Sequence, residues 1–358
     1  MVGYWICKYS KNEDTTLIEY KSFDSGENAV YPELTICNID PFLNTKLMEI
    51  DIELEKEMYI EYLKGEIDMN ISAELFPYDK VSLNLFEYLS QIEIIEKFGS
   101  NRYKHTCNTT RDCPFVIFKN NYNGFTLRAH QFVKCFGIEI DTKKSSNVCE
   151  IQLLFNDTFK TIIDQVGMFY LMFNYPNQMF IFQNKGAKQI WDDHVDNYHN
   201  INFFQINSFE ILKRRKKSST PCFADWNRYD DLVLLEKIEK VGCRTPYQSS
   251  FEQFPLCCTK GKMKEAIYNL DDIADNFQPP CREVSHLSYT HSPILSPNHY
   301  PNTLFPLSVS YPEKIKLITQ SQAIDVHSLI GNIGGYIGLF LGMFHFNLKV
   351  TFDILSNS

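Results

Sequence analysis

Three common catalytic signatures are missing from this 358-residue sequence. It has no Gly-rich phosphate loop, no His-Glu-x-x-His pair and no Cys-x-x-Cys pair, which leaves the commonest nucleotide, zinc-protease and thiol-redox chemistries without their residues. The expectation is a protein that is not an enzyme and needs no cofactor or resident metal. Excess positive charge is missing as well. Lys and Arg number 35 against 44 Asp and Glu, a net charge of −9 that disfavours a nucleic-acid partner and suits a surface attracting cations. No internal repeat or low-complexity tract is visible. Cysteine is absent after Cys281. A basic lead-in is absent before the apolar Met1-Val2-Gly3-Tyr4-Trp5-Ile6-Cys7, which is too short for the core and cleavage site of a signal peptide.

What is present is aromatic and rich in cysteine. With 28 Phe, 20 Tyr and 22% charged residues, the chain has the composition of a folded protein and not of a disordered one. Eleven cysteines are too many for a typical reduced enzyme, and all lie upstream of the most apolar stretch. A disulfide-bearing ectodomain that ends at a membrane anchor accounts for both facts. Three glycosylation acceptor patterns, at Asn70, Asn108 and Asn156, fall in the same region.

The anchor is residues 329–346, about 18 residues without formal charge when His345 is neutral, near the lower length limit for crossing a hydrocarbon core. Gly331, Gly334, Gly335, Gly338 and Gly342 crowd into it, and Gly334, Gly338 and Gly342 recur every fourth residue. That spacing puts small residues on one helix face, where backbones approach closely in lipid, so the helix is expected to pack against copies of itself. A buried core helix is the competing reading, and each interior glycine opposes it by about 1 kcal/mol relative to alanine. An ectodomain also needs a route across the membrane. Residues 1–7 are then either the outer end of a first membrane helix that begins outside this chain, or a short lead before a single self-inserting C-terminal span.

Between the two ends the pattern is mostly β. Residues 11–28 read as a polar loop and residues 30–38 as a strand started by Pro32. Residues 47–63 have helical spacing among many acids and read as an exposed helix. Residues 101–123 are polar and turn-rich, with Cys107 and Cys113 close enough to staple a loop. Strands are expected at 115–118, 132–140, 149–155, 168–173 and 179–182, separated by turn formers. The basic run Lys213-Arg214-Arg215-Lys216-Lys217 reads as a solvated strand end, with a nuclear-localisation or phosphate-binding reading as its rival. A helix over 225–242 stops at Gly242, and a second, amphipathic, covers 263–277. Asp225, Asp230, Asp231 and Glu236 read either as an acidic first turn or as a cation site. Cys222, Cys243, Cys257, Cys258 and Cys281 bracket these helices, and Cys257 and Cys258 are expected to take separate partners. His105, His130 and His199 have no ligand-like spacing. The seven prolines of 279–312 predict an extended connector with edge strands, followed by a last strand at 315–318.

Four places in this order resemble the epithelial sodium channel/degenerin family. Tyr31-Pro32-Glu33-Leu34-Thr35-Ile36-Cys37-Asn38, followed by Pro41-Phe42, is similar to the segment just outside that family's first membrane helix. Cys222, Gly242-Cys243-Arg244 and Pro280-Cys281 resemble the cysteine frame of its thumb, and Lys134-Cys135-Phe136 is similar to a palm motif. The run from Leu329-Ile330-Gly331-Asn332 through Phe340-Leu341-Gly342 resembles its second membrane helix. Phe352-Asp353 falls in register with a pair that follows that helix.

The resemblance implies an α+β membrane protein with a large, disulfide-rich extracellular domain of palm sheet, finger and helical thumb. Residues 1–9 would be the outer end of the first membrane helix, 10–324 the extracellular domain with its thumb at about 222–281, 325–350 the second helix and 351–358 a short cytoplasmic end. It implies a homo- or hetero-trimer of related subunits in the plasma-membrane bilayer, passing Na+ through an amiloride-sensitive pore that opens to a ligand or to acid. By position, Ser328 would be the gating site, Gly334, Gly338 and Gly342 would line the pore, and Gly342-Met343-Phe344 would form its constriction. A helix break at Gly342 would offer backbone carbonyls to the cation. Cys222 and Cys281 would form the outermost thumb disulfide. The pattern departs at Met343 and Phe344, which replace small residues, at Asn332, which replaces an acid, and at Lys349-Val350, where an acid is expected. These departures motivate a second reading, a non-conducting anchored ectodomain that binds a partner or co-assembles with related subunits.

Overall fold

The computed structural model describes residues 2–11, 14–22, 31–39, 56–68, 78–108, 113–126, 131–145, 147–163, 169–174, 188–191, 200–215, 221–223, 229–248, 251–268, 278–295 and 305–356. In chain order these form α1 (Val2–Ser10), β1 (Asp14–Ser22), β2 (Glu33–Ile39), α2 (Lys56–Leu63), α3 (Tyr78–Val81), β3 (Leu89–Phe98), β4 (Asn101–Cys107) and β5 (Val116–Thr126). There follow β6 (Gln131–Ile140), β7 (Val148–Phe155), α4 (Thr158–Ile163), β8 (Phe169–Asn174), β9 (Lys188–Trp191) and β10 (Asn200–Lys213). The chain then runs through α5 (Tyr229–Val241), α6 (Lys260–Tyr268), β11 (Arg282–Leu295), β12 (Phe305–Ser310), β13 (Lys314–Gln322) and α7 (Val326–Ser356).

Two sheets enclose the main core. One runs β1-β13-β10-β12-β7-β3-β4 with β11 on the other edge of β10, and the second runs β5-β6-β2-β8-β9. Alternate residues meet between them. Leu34 and Ile36, Phe136 and Ile138, Ile151 and Leu153, Phe204 and Ile206 are all buried in one cluster, as the two-residue side-chain period of a strand requires. Cys37 stands directly opposite Cys135 in the β2–β6 ladder, and the two form a disulfide. Strands β12 and β13 both run parallel to β10, at Asn202–Gln205 and Glu210–Lys213, so they share one edge of it in line, with a jog at Tyr311-Pro312-Glu313 between them.

A second cluster holds the helices. Tyr59, Tyr62 and Leu63 of α2, Val81 of α3 and Met263 and Ile267 of α6 pack together, and the Tyr62 hydroxyl donates to the Cys257 carbonyl at 2.9 Å. Two glycines make the turns possible. Gly242 ends α5 at φ +79, donating its N–H to Ile238 at 2.7 Å. Gly65 sits at φ +68, where a Cβ would lie 3.1 Å from Lys264. Both positions need the left-handed region that glycine enters without a Cβ penalty.

The strands expected at 30–38, 115–118, 132–140, 149–155, 168–173 and 315–318 overlap β2, β5, β6, β7, β8 and β13. Several other expectations are corrected. The loop at 11–28 contains β1, whose Leu17 and Ile18 stay 52% and 53% exposed, so its pairing to β13 leaves no burial period in the sequence. The turn-rich stretch 101–123 supplies β4 and much of β5 around the stapled Cys107–Cys113 loop. The helix within 47–63 is exposed on one side only, at Met58 and Glu61, because its tyrosines enter the helical cluster, and residues 47–55 lie outside the described residues. The connector at 279–312 does hold an edge strand as expected, β11, with Pro293 facing Asn202 on the outer strand, where a missing N–H is tolerated, but it also holds β12, which lies inside the sheet between β10 and β7. The strand expected at 179–182 and the part of the 263–277 helix beyond Tyr268 lie outside the described residues, as do Asn70, Asp225, His130 and His199.

Candidate functional site

The sequence places its functional candidates on α7, and the fold delivers that helix through a two-stranded ribbon. β1 and β13 pair antiparallel from Asp14 opposite Gln322 to Ser22 opposite Lys314. Residues 11–13 join α1 to β1 and residues 323–325 join β13 to α7, so the ribbon brings the two helix ends side by side, and α1 lies against α7. The Arg215 guanidinium, at the end of β10, holds the base of the ribbon by pairing with Asp14 at 2.7 Å. The expected solvated basic run is thereby corrected at Arg214 and Arg215, while Lys216 and Lys217 lie outside the described residues. Arg214 also pairs with Glu283 and donates to the Pro280 carbonyl at 2.9 Å.

Asp325 starts α7, its carboxylate accepting the Ser328 N–H at 2.6 Å and its carbonyl the Leu329 N–H at 2.9 Å. The helix then runs 31 residues, about 46 Å at the helical rise. Val326–His345, 20 residues of mean hydropathy 1.3, is long and apolar enough to cross a membrane, and none of it is buried within the chain. Ile330, Leu341 and Phe344 are 62%, 64% and 67% exposed. A largely apolar helix that its own chain leaves mostly uncovered calls for lipid or other chains as its surroundings, which opposes the core-helix reading.

The two sides of α7 differ. Leu329, Asn332, Ile333 and Tyr336, at helical spacing, are half-buried, as are Trp5 and Tyr9 on α1, and this is the seam between the helices. At 3.6 residues per turn, Gly338 lies about two and a half turns past Leu329, on the opposite side. Gly334 and Gly342 flank it there, and a Cβ at any of these glycines or at Gly331 and Gly335 would meet nothing within 4 Å. Ser328 is exposed, one turn from Gly331 and two from Gly335, at the border of the glycine stripe.

Met343 and Phe344 are turned about 100° and 200° from Gly342 around the helix. The break expected at Gly342 is absent, since α7 continues unbroken from Val326 to Ser356. Carbonyls inside a continuous helix are spent on its own hydrogen bonds, so the carbonyl filter is a corrected expectation.

Disulfides join Cys222 to Cys281, which the resemblance implied, Cys107 to Cys113, and Cys243 to Cys257. Cys258 is a free thiol, which corrects the expectation of two partners for the vicinal pair. Asn108 is exposed, whereas Asn156 is half-buried and accepts from the Thr158 hydroxyl at 2.5 Å. His105 contacts Glu96 at 2.9 Å, and among the described residues no group of His, Cys, Asp and Glu is arranged to hold a metal. The Arg215–Asp14 clamp, the Trp5–Tyr9 seam and the Cys37–Cys135 link were not foreseen. Each joins residues that are distant in sequence or carry no motif of their own.

No family model matches this sequence, and no curated protein matches it. Among solved structures, a proton-activated chloride channel determined by cryo-EM is similar over 99% of this chain and 92% of that chain, at 9% identity and a TM-score of 0.26.

Proposed function

We propose that this chain is a subunit of a trimeric, amiloride-sensitive cation channel of the plasma membrane, with α7 as its pore-lining helix. The observation that carries the reading is the open glycine stripe of an apolar helix whose other side is lined by α1 over Leu329 to Tyr336. Three copies meeting along that stripe would place Ser328 at the entrance and the glycines along the channel. The ribbon of β1 and β13 gives the folded body a direct mechanical connection to both helices.

The test is current recording from membranes carrying the chain in a sodium gradient, with and without amiloride and with a bulky residue at Ser328. The expected result is an amiloride-blocked current, raised by the substitution, whose reversal follows Na+. Absence of current in both proteins would defeat the reading. A second reading, a non-conducting subunit that co-assembles with related chains, is favoured by the bulk of Met343 and Phe344 and by the unbroken helix at Gly342. It predicts co-purification with such subunits and no current from this chain alone.

A further inference from the structure

The jog between β12 and β13 borders a cleft of about 270 Å³ that the channel reading does not use. Four turns meet there: the end of β1 at Ser22, the β3–β4 turn at Lys97 and Gly99, the start of β7 at Asn147, Val148 and Cys149, and Tyr311-Pro312-Glu313. Its walls are apolar. Tyr311 and Val148 are buried, and Cys149, its thiol donating to the Ile95 carbonyl at 3.3 Å, is held neutral because burial pushes its titration up. The rim, by contrast, carries one ammonium and one carboxylate, Lys97 and Glu313, in contact at 2.5 Å with side chains 40% and 76% exposed. An ion pair so open to water is held together weakly and can exchange partners at little cost. Asn147, at the same rim, is the non-glycine residue with positive φ (59) among those described, and its carbonyl accepts the Lys97 N–H at 2.9 Å.

One charge of each sign above an apolar hollow of this size is complementary to a small zwitterion with an apolar tail. We propose that the cleft binds a free α-amino acid with an apolar side chain, its carboxylate on Lys97, its ammonium on Glu313 and its side chain against Val148, Tyr311 and Pro312. The ligand replaces one internal ion pair by two, and it sits where β12 passes into β13, the strand that leads to α7. Binding stands apart from conduction, and only an effect on α7 rests on the channel reading.

Calorimetric titration of the full chain in detergent tests it, with L-leucine, glycine, N-acetyl-L-leucine and L-leucinamide as probes. Saturable binding of L-leucine is expected, with both blocked analogues weaker by about tenfold or more, the effect of one lost charged contact, and with glycine weaker because it has no side chain to bury against the apolar wall. Lys97→Gln and Glu313→Gln are each expected to lose a similar factor while keeping the wild-type circular dichroism spectrum. No heat from L-leucine up to its solubility limit, equal binding of the blocked analogues, or undiminished binding by both variants would overturn the proposal. Because none of these readouts needs ion flow, a silent channel leaves the result intact.

Discussion

Single residues decide whether the turns around the two cores can close. Gly65 combines a positive φ with close packing on Lys264 and Met263, so Gly65→Ala meets both strain and crowding. It is expected to destabilise the fold by about 1–3 kcal/mol, read from chemical denaturation. Glu313 offers a test with a defined sign. The Lys97 ammonium holds its carboxyl below the usual carboxylate range, first through the hydrogen bond and then through charge. A depressed folded value contributes stability above the unfolded value and loses it as pH falls through the folded one. Thermal melts of wild type and Glu313→Gln should therefore differ near neutral pH and converge in acid. Added salt should shrink the difference, since the pair is exposed. A difference that grows in acid would contradict the assignment.

At the level of elements, α7 is the part whose sequence and environment agree most closely. Its glycines cost helix propensity and fill no close contact within the chain, which suits the proposed packing against other copies. Gly338→Leu puts a large side chain in the middle of the open stripe. Cross-linking and size-exclusion in detergent should show loss of the oligomer, while the melting of the β-rich body is unchanged. An intact oligomer would remove the stripe from the interface. Residues 101–123 and 279–312 show the opposite case, where strands form from polar or proline-bearing segments because long ladders to β3 and β10 supply their backbone partners.

Over the whole molecule, two paths connect the folded body to the helices: β13 running into α7, and the clamp from β10 through Arg215 to Asp14 beside α1. Asp14→Ala removes a charge-assisted contact whose two side chains are 16% and 18% exposed. Such a contact is worth about 1.5–3 kcal/mol. Hydrogen exchange should then speed up in β1 and β13 and stay unchanged in the β2–β6 ladder. Uniform acceleration across both sheets would mean that the clamp supports global stability and not the ribbon alone.

The amino-acid sequence by itself determined those features whose physical cause is local. The apolar, glycine-spaced helix, the glycine stop at Gly242, the alternating strands of the core and the short Cys107–Cys113 loop each follow from periodicity, backbone freedom or spacing along a few neighbouring residues. The tertiary structure decided whatever depends on residues meeting from far apart. It made a strand of a polar stretch at β1, turned part of a basic run into a clamp, left Cys258 without a disulfide partner and placed Lys97 against Glu313 across a cleft. It also set the glycine stripe opposite the α1 seam. The reason is the same in each case: backbone pairing, ion pairing and helix facing are fixed by which surfaces pack together, and no local pattern carries that information.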